Sequence, residues 1–251
     1  MERRVIAFDL DNTLADSKSP ITKEMAGLLQ GLLARFQVCV ISGGTFAQFE
    51  QQLLSHLQAP PRALAALHLM PTSGTRYVRF DAAAKAWRQE YSEDLSADQR
   101  ARIAAALEEE ANALGYRPAK LWGPQIEDRG TQLTFSALGQ KAPVARKEAW
   151  DPDGSKKRKL REHVAKRLPE FGVRVGGTTS IDVTRPGGDK AYGVKKLIEL
   201  LGVTKKDVLF IGDRLSKGGN DYPVKAMGID CLEVSGSRDT ALVIRTILDV
   251  T

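Results

Sequence analysis

Asp9 and Asp11 flank a single leucine directly after the apolar run VIAF, residues 5–8. A buried strand that ends in two acids asks for a chemical reason. A carboxylate can attack an electrophilic centre such as phosphorus, and a second carboxylate nearby can move a proton to or from the leaving or entering oxygen. Three further stretches carry matching residue types. Ser42-Gly43-Gly44 follows VCVI and precedes a helical pattern, so it offers a hydroxyl and exposed N–H groups to an anion. Lys190 follows Pro-Gly-Gly-Asp at the start of a helical pattern, where an ammonium can neutralise phosphoryl charge. Asp213 ends the run VLFIG. Carboxylates gathered at one place repel each other. A hard divalent cation relieves that, and Mg2+ suits carboxylates, a backbone carbonyl and waters while bringing phosphate with it.

These residues need a scaffold that collects distant segments. VIAFD is a continuous apolar run, as expected of a strand covered on both faces. ITKEMAGLLQGLLARF follows with helical spacing at Met25, Leu28, Leu29, Leu32 and Phe36. FQVCVIS, then TFAQFEQQLLSHL, then ALAALHLM repeat the strand, helix, strand order, which predicts a parallel sheet with covering helices. From about residue 81 the pattern changes. LSADQRARIAAALEEEANALGY reads as a helix with Ser96 as N-cap and Gly115 as its stop, and IEDRGTQLTFSALG, FGVRVGG and TTSIDVT read as strands. The doubly wound order returns with DKAYGVKKLIELLG, DVLFIGD, GIDCLEV and RDTALVIRTILDV. The expected fold is therefore α/β: a Rossmann-like doubly wound parallel sheet built from 1–80 and 187–251, with an inserted α+β cap over 81–186. In open parallel sheets ligands bind beyond the carboxyl ends of the strands, and Asp9, Asp11, Ser42 and Asp213 all fall at such ends.

Composition narrows the function classes. The 251 residues suffice for one large or two small domains, and 42% hydrophobic with 27% charged residues is ordinary for a globular protein. No stretch has the apolar length of a membrane span, and charged Glu2, Arg3 and Arg4 lead the chain without a secretory pattern, which points to the cytoplasm. Cys39 and Cys231 lie in apolar runs and read as reduced core residues. The net charge of +6 is densest in KKRKLREHVAKRL. Leu160, Val164 and Leu168 give that stretch an apolar stripe and no aromatic interleaving, so it reads as a surface helix and not a nucleic-acid site. The three histidines share no ligand spacing with either cysteine, which argues against zinc. Trp87, Trp122 and Trp150 all fall in the inserted stretch and read as packing residues.

FDLDNTL, ISGG, the Lys190 region and IGDRLSKGGND, in that order, resemble the four motifs of the haloacid dehalogenase superfamily of phosphotransferases. ISGGTFAQFEQQL, the Ser73-Gly74 turn, EDRGTQLTFSALG, GGTTSIDVTRPGGDK and GDRLSKGGNDYPV extend the likeness to its eukaryotic-type phosphomannomutase branch, with a type IIB cap. The resemblance implies Asp9 as nucleophile, forming an aspartyl-phosphate, and Asp11 as acid/base and carbonyl ligand to Mg2+. It implies Ser42, Gly43 and Lys190 as phosphate-binding, Asp213 as a metal ligand, and Asn220 and Asp221 as its close support. From the cap it implies Arg129, Ser180 and Asp182 as contacts to the phosphosugar, and a homodimer formed through the cap. Two positions depart from the branch. Asn12 stands where the mutases usually have glycine, and Gln140 stands where they usually have a second phosphate-gripping arginine. A mutase must hold a sugar bisphosphate while it turns around, and arginine does this through charge-assisted bonds. A hydrolase needs only water at the phosphoenzyme. The reading is a hexose-phosphate phosphatase, with a phosphomannomutase as the alternative and a non-catalytic phosphosugar-binding protein as the third.

Overall fold

A computed structural model describes residues 4–251. The chain forms two compact units: one runs to Ser92 and resumes at Asp189–Thr251, and the other is Glu93–Gly188. In chain order the first begins with β1 (Val5–Phe8), α1 (Lys23–Leu33), β2 (Gln37–Ile41), α2 (Phe46–Phe49), α3 (Pro61–Leu64), β3 (Leu67–Met70), β4 (Arg76–Asp81) and β5 (Ala86–Ser92). The second holds α4 (Ala97–Ala113), β6 (Ile126–Asp128), β7 (Gln132–Ser136), α5 (Val144–Trp150), α6 (Ser155–Arg167), β8 (Gly172–Val175) and β9 (Ser180–Thr184). The first then closes with α7 (Lys190–Leu201), β10 (Val208–Gly212), α8 (Tyr222–Ala226), β11 (Asp230–Glu233) and α9 (Ser237–Val250).

The seven-stranded sheet runs β11-β10-β1-β2-β3-β4-β5. The strands from β11 to β3 pair in parallel, with Phe8 opposite Ile211 on one side and Val40 on the other. Apolar side chains fill both faces. Ile6, Phe8, Val38 and Val40 pack with α1 and α9, while Val5, Ala7, Cys39 and Phe210 pack with Val194 and Leu197 of α7. This double burial explains why these strands read as unbroken apolar runs. Helix starts are capped: Thr22 accepts from Met25 N, Asp189 from Tyr192 N, and Ser96, the expected N-cap, forms a capping box with Gln99.

The boundary differs from the sequence expectation. Residues 81–92 belong to the first unit, because β5 pairs antiparallel with β4 from Arg76 opposite Ser92 to Asp81 opposite Ala86. The joining turn, Ala82-Ala83-Ala84-Lys85, carries neither glycine nor proline, and β5 lies mostly exposed, so neither the turn nor the strand leaves an apolar signature. Trp87 therefore packs edge-on to Phe80 in this unit, with ring centroids 5.3 Å apart, and not in the inserted stretch.

In the second unit β6-β7-β9-β8 form an antiparallel sheet. Alternation divides its faces. Leu133, Phe135, Val173, Ile181 and Val183 pack with Ile103 and Leu107 of α4 and Leu160 and Val164 of α6. Gln132, Thr134, Ser180, Asp182 and Thr184 occupy the alternate positions. The basic helix thus buries its apolar stripe and leaves Lys159 and Lys166 exposed, while Lys156 and Lys157 donate to the carbonyls of Trp150 and Gly177.

Candidate active site

The C-terminal ends of β1 and β10 lie side by side, and Asp9 N donates to Ile211 O at 3.0 Å, extending the ladder by one residue. Asp9, the next side chain after the core strand, is 3% exposed. Asp221 precedes α8 and is 0% exposed; its Oδ2 accepts from Arg214 N at 3.1 Å. Lys190 joins the two. It is 2% exposed, and its Nζ donates at 2.5 Å to Asp9 Oδ1 and at 2.5 Å to Asp221 Oδ1. Oxygens of Asp9, Asp213 and Asp221 lie within 4.8 Å of one another.

Lys190 reaches this place because its helix can approach the Ser73-Gly74 turn closely. A Cβ on Gly193 would lie 2.4 Å from Ile41 Cδ1 and 3.0 Å from Gly74 Cα. Gly74 also has φ of +86°. Two glycines face to face therefore set the position of the first turn of α7.

The electrostatics follow from burial and crowding. Burial drives the Asp9 carboxyl up to about 7; Lys190 pulls against this, and Asp221 and Asp213 add to it. Burial, then Asp221, also raises Asp213. Burial disfavours the Lys190 charge, but Asp9 and Asp221 outweigh it and hold the ammonium above its ordinary range. Lys190 bridges Asp9 and Asp221, and Arg214 Nε lies 3.6 Å from Asp213 Oδ2, so two cations face three carboxyl groups.

Other predicted residues lie around this rim or apart from it. Ser42 follows β2, with Oγ accepting from Gly44 N at 3.1 Å and the backbone O accepting from Ser73 N at 2.9 Å. Gly43 lies between them, partly exposed. Asp11 is outside the three-carboxylate cluster; its Oδ1 accepts from Lys18 N at 2.7 Å and from Gln52 Nε2 at 3.1 Å. Asn12 adopts φ of +60° in the turn, a conformation asparagine tolerates, and its Oδ1 accepts from Ser17 N at 3.2 Å. Asn220 precedes Asp221 and is exposed.

The second unit holds the remaining ones. Arg129 donates through Nε and Nη2 to Glu127 Oε2 at 2.9 and 2.6 Å. Asp182 Oδ1 accepts from Thr134 Oγ1 at 2.7 Å, and burial raises its carboxyl while Arg129 opposes. Ser180 lies opposite Ser136 on the same sheet face. Gln140 Nε2 donates to Gln125 O at 3.3 Å and Thr134 O at 3.2 Å. Gln52 was not singled out from the sequence. Its signal was present: it is a polar residue at the helical spacing of buried Phe49 and Leu53.

Comparison with solved structures identifies the fold. An IMP-bound IMP-nucleotidase from Plasmodium falciparum is similar with a TM-score of 0.74 at 16% identity, over 100% of this chain and 68% of that one. A haloacid dehalogenase-like hydrolase from Bacteroides thetaiotaomicron is similar with a TM-score of 0.63 at 18% identity, over 98% and 100% of the two chains. The architecture is the fold shared with these two structures. Among curated proteins, a probable phosphomannomutase from Caenorhabditis elegans is 25% identical over 89% of this chain and 87% of its own. A phosphomannomutase from Saccharomyces cerevisiae is 31% identical over 41% of each chain. The profile of eukaryotic phosphomannomutase matches residues 71–250, and the chain belongs to that family.

Proposed function

We propose that the chain is a magnesium-dependent hexose-phosphate phosphatase that works through a phosphorylated Asp9. The cluster of Asp9, Asp213 and Asp221 around Lys190 carries this reading. Its donor set fits the cation: hard carboxylate oxygens of three aspartates within 4.8 Å of one another. Asp9 and Asp213, the Asp11 backbone carbonyl, and Asn220 and Asp221 close by would hold Mg2+, which would offset the carboxylate charge and draw in phosphoryl oxygens. Lys190 fixes Asp9 Oδ1, which supports Oδ2 as the attacking atom. Ser42 Oγ, the Gly43 N–H and Lys190 hold the phosphoryl group. Asp11 gives a proton to the leaving sugar oxygen and then takes one from the water that releases phosphate. Arg129, Ser180 and Asp182 supply contacts to the sugar phosphate from the polar sheet face of the second unit, which acts as the cap. The enzyme works in the cytoplasm, a setting consistent with the unpaired thiols of Cys39 and Cys231, and pairs as a homodimer through that unit.

Gln140 favours hydrolysis over mutation. It is neutral, and its amide donates to two backbone carbonyls, so it offers no charge to a second phosphate. The mutase remains as a second reading because family membership favours it. A panel of hexose phosphates with Mg2+ separates the two. Release of inorganic phosphate from a hexose 6-phosphate is expected. Conversion of mannose 1-phosphate to the 6-phosphate with a trace of bisphosphate, without phosphate release, would replace the phosphatase with the mutase. Ligand-induced thermal stabilisation without turnover would leave only a binding protein.

A further inference from the structure

Among the described residues, two buried side-chain oxygens have no hydrogen-bond partner, Thr13 Oγ1 and Gln52 Oε1. The second belongs to a side chain whose other end is fully used. Gln52 lies in a π-helical stretch, Glu50–Leu54, closed by Ser55 N donating to Glu50 O at 2.9 Å. A π turn inserts one residue into a helix and often marks a functional position. Gln52 Nε2 donates to Asp11 Oδ1 at 3.1 Å and to Ser19 O at 3.1 Å. Its backbone O accepts from Ile21 N at 2.8 Å, so side chain and main chain together pin the segment after β1. Lys18 N adds a second donor to Asp11 Oδ1, at 2.7 Å. Both contacts to this carboxylate fall on one oxygen, and Oδ2 has no partner among the described residues.

We infer that Gln52 is a positioning residue for phosphoryl transfer: it clamps Oδ1 of Asp11, so that Oδ2 is the oxygen that exchanges protons with the leaving and entering groups. The inference rests on the acid/base role proposed for Asp11. Asp11 is only half-buried, and without donors on one oxygen its carboxylate can rotate about χ1 and χ2. The Ser19 carbonyl fixes which way the amide faces, because only the nitrogen end can donate to both acceptors. An apolar residue of the same shape would avoid the orphaned Oε1 but would bring no N–H groups. The proton balance is simple. As the leaving oxygen separates from phosphorus, the proton on Oδ2 passes to it. When water attacks the phosphoryl group on Asp9, its proton returns to Oδ2 and the Asp9–phosphorus bond breaks.

The test uses leaving groups of different basicity. A sugar alkoxide needs the proton, whereas p-nitrophenolate leaves without it. First-turnover transfer from a hexose phosphate and from p-nitrophenyl phosphate is measured for wild type, Gln52→Met, Gln52→Asn and Asp11→Asn. The ratio of the two rates in one sample does not depend on how much of the variant is folded. Gln52→Met and Gln52→Asn are expected to slow the hexose phosphate roughly 10- to 100-fold and the nitrophenyl ester less than about threefold, with KM unchanged. Equal losses on both donors, or no loss, would overturn the inference. If Asp11→Asn slows both donors alike, the acid/base reading fails and the inference with it. If Asp11→Asn shows the split and the Gln52 variants do not, only the role of Gln52 falls.

Discussion

Protonation of Asp9 links the candidate site to stability, and the direction can be worked from the fold. With no divalent cation, burial and crowding raise its carboxyl from 3.8 to about 7. The unfolded chain gives up this proton near 3.8, whereas the folded chain keeps it until about 7. The folded state therefore binds more protons between those values, so this contribution to stability is full below 3.8 and is lost as pH rises through 7. The difference of 3.2 pH units corresponds to at most about 4 kcal/mol. Urea unfolding in chelator from pH 4 to pH 7.5 reads it. His68 runs the opposite way across the lower part of that range, so the comparison must be with Asp9→Asn, which keeps His68. Relative to their difference at pH 4, Asp9→Asn is expected to gain on wild type by up to about 4 kcal/mol at pH 7.5. Mg2+ should close the gap from the wild-type side, because it stabilises the ionised cluster. Parallel pH profiles of the two proteins in chelator would refute the reasoning, since they would mean that Asp9 is ionised in the folded state without a cation.

Three further outcomes are expected. Gln140→Arg should tighten binding of a hexose bisphosphate by ~10- to 100-fold and add mutase turnover, read by product analysis; no change would remove that position from the choice between hydrolase and mutase. Gly193→Ala would place a methyl 2.4 Å from Ile41 Cδ1 and should cost about 1–3 kcal/mol in urea unfolding, with slower phosphoenzyme formation because Lys190 shares that helical turn. His68 is buried between Tyr77 Oη at 2.7 Å and Gln37 Oε1 at 2.8 Å, and burial, then Arg79, lowers it from 6.5 to about 4. Its contribution is present above 6.5 and lost as pH falls toward 4, by up to about 3 kcal/mol, and His68→Gln should flatten that part of the profile.

Much of the core was legible because its signals are local. A strand buried on both faces reads as an apolar run, a capped helix announces its start, and an acid or serine directly after such a run marks a strand end. That is why VIAF, QVCVI and VLFIG could be placed with Asp9, Ser42 and Asp213 behind them before any coordinates. The pairing of β5 with β4 was not legible, because a strand extending the sheet at its edge is held by backbone hydrogen bonds and tolerates mostly exposed side chains. Gln52 passed as one polar residue on a helix, since its partner Asp11 is 41 positions away. The meeting of Lys190 with both Asp9 and Asp221, 181 and 31 positions from it, depends on how closely two glycines let a helix approach a turn. Residue types and their order along the chain determined which groups were available for chemistry. Only the packed sheet decided which of them share a charge, because a Coulomb interaction depends on distance and burial, and neither is written in the spacing of a linear chain.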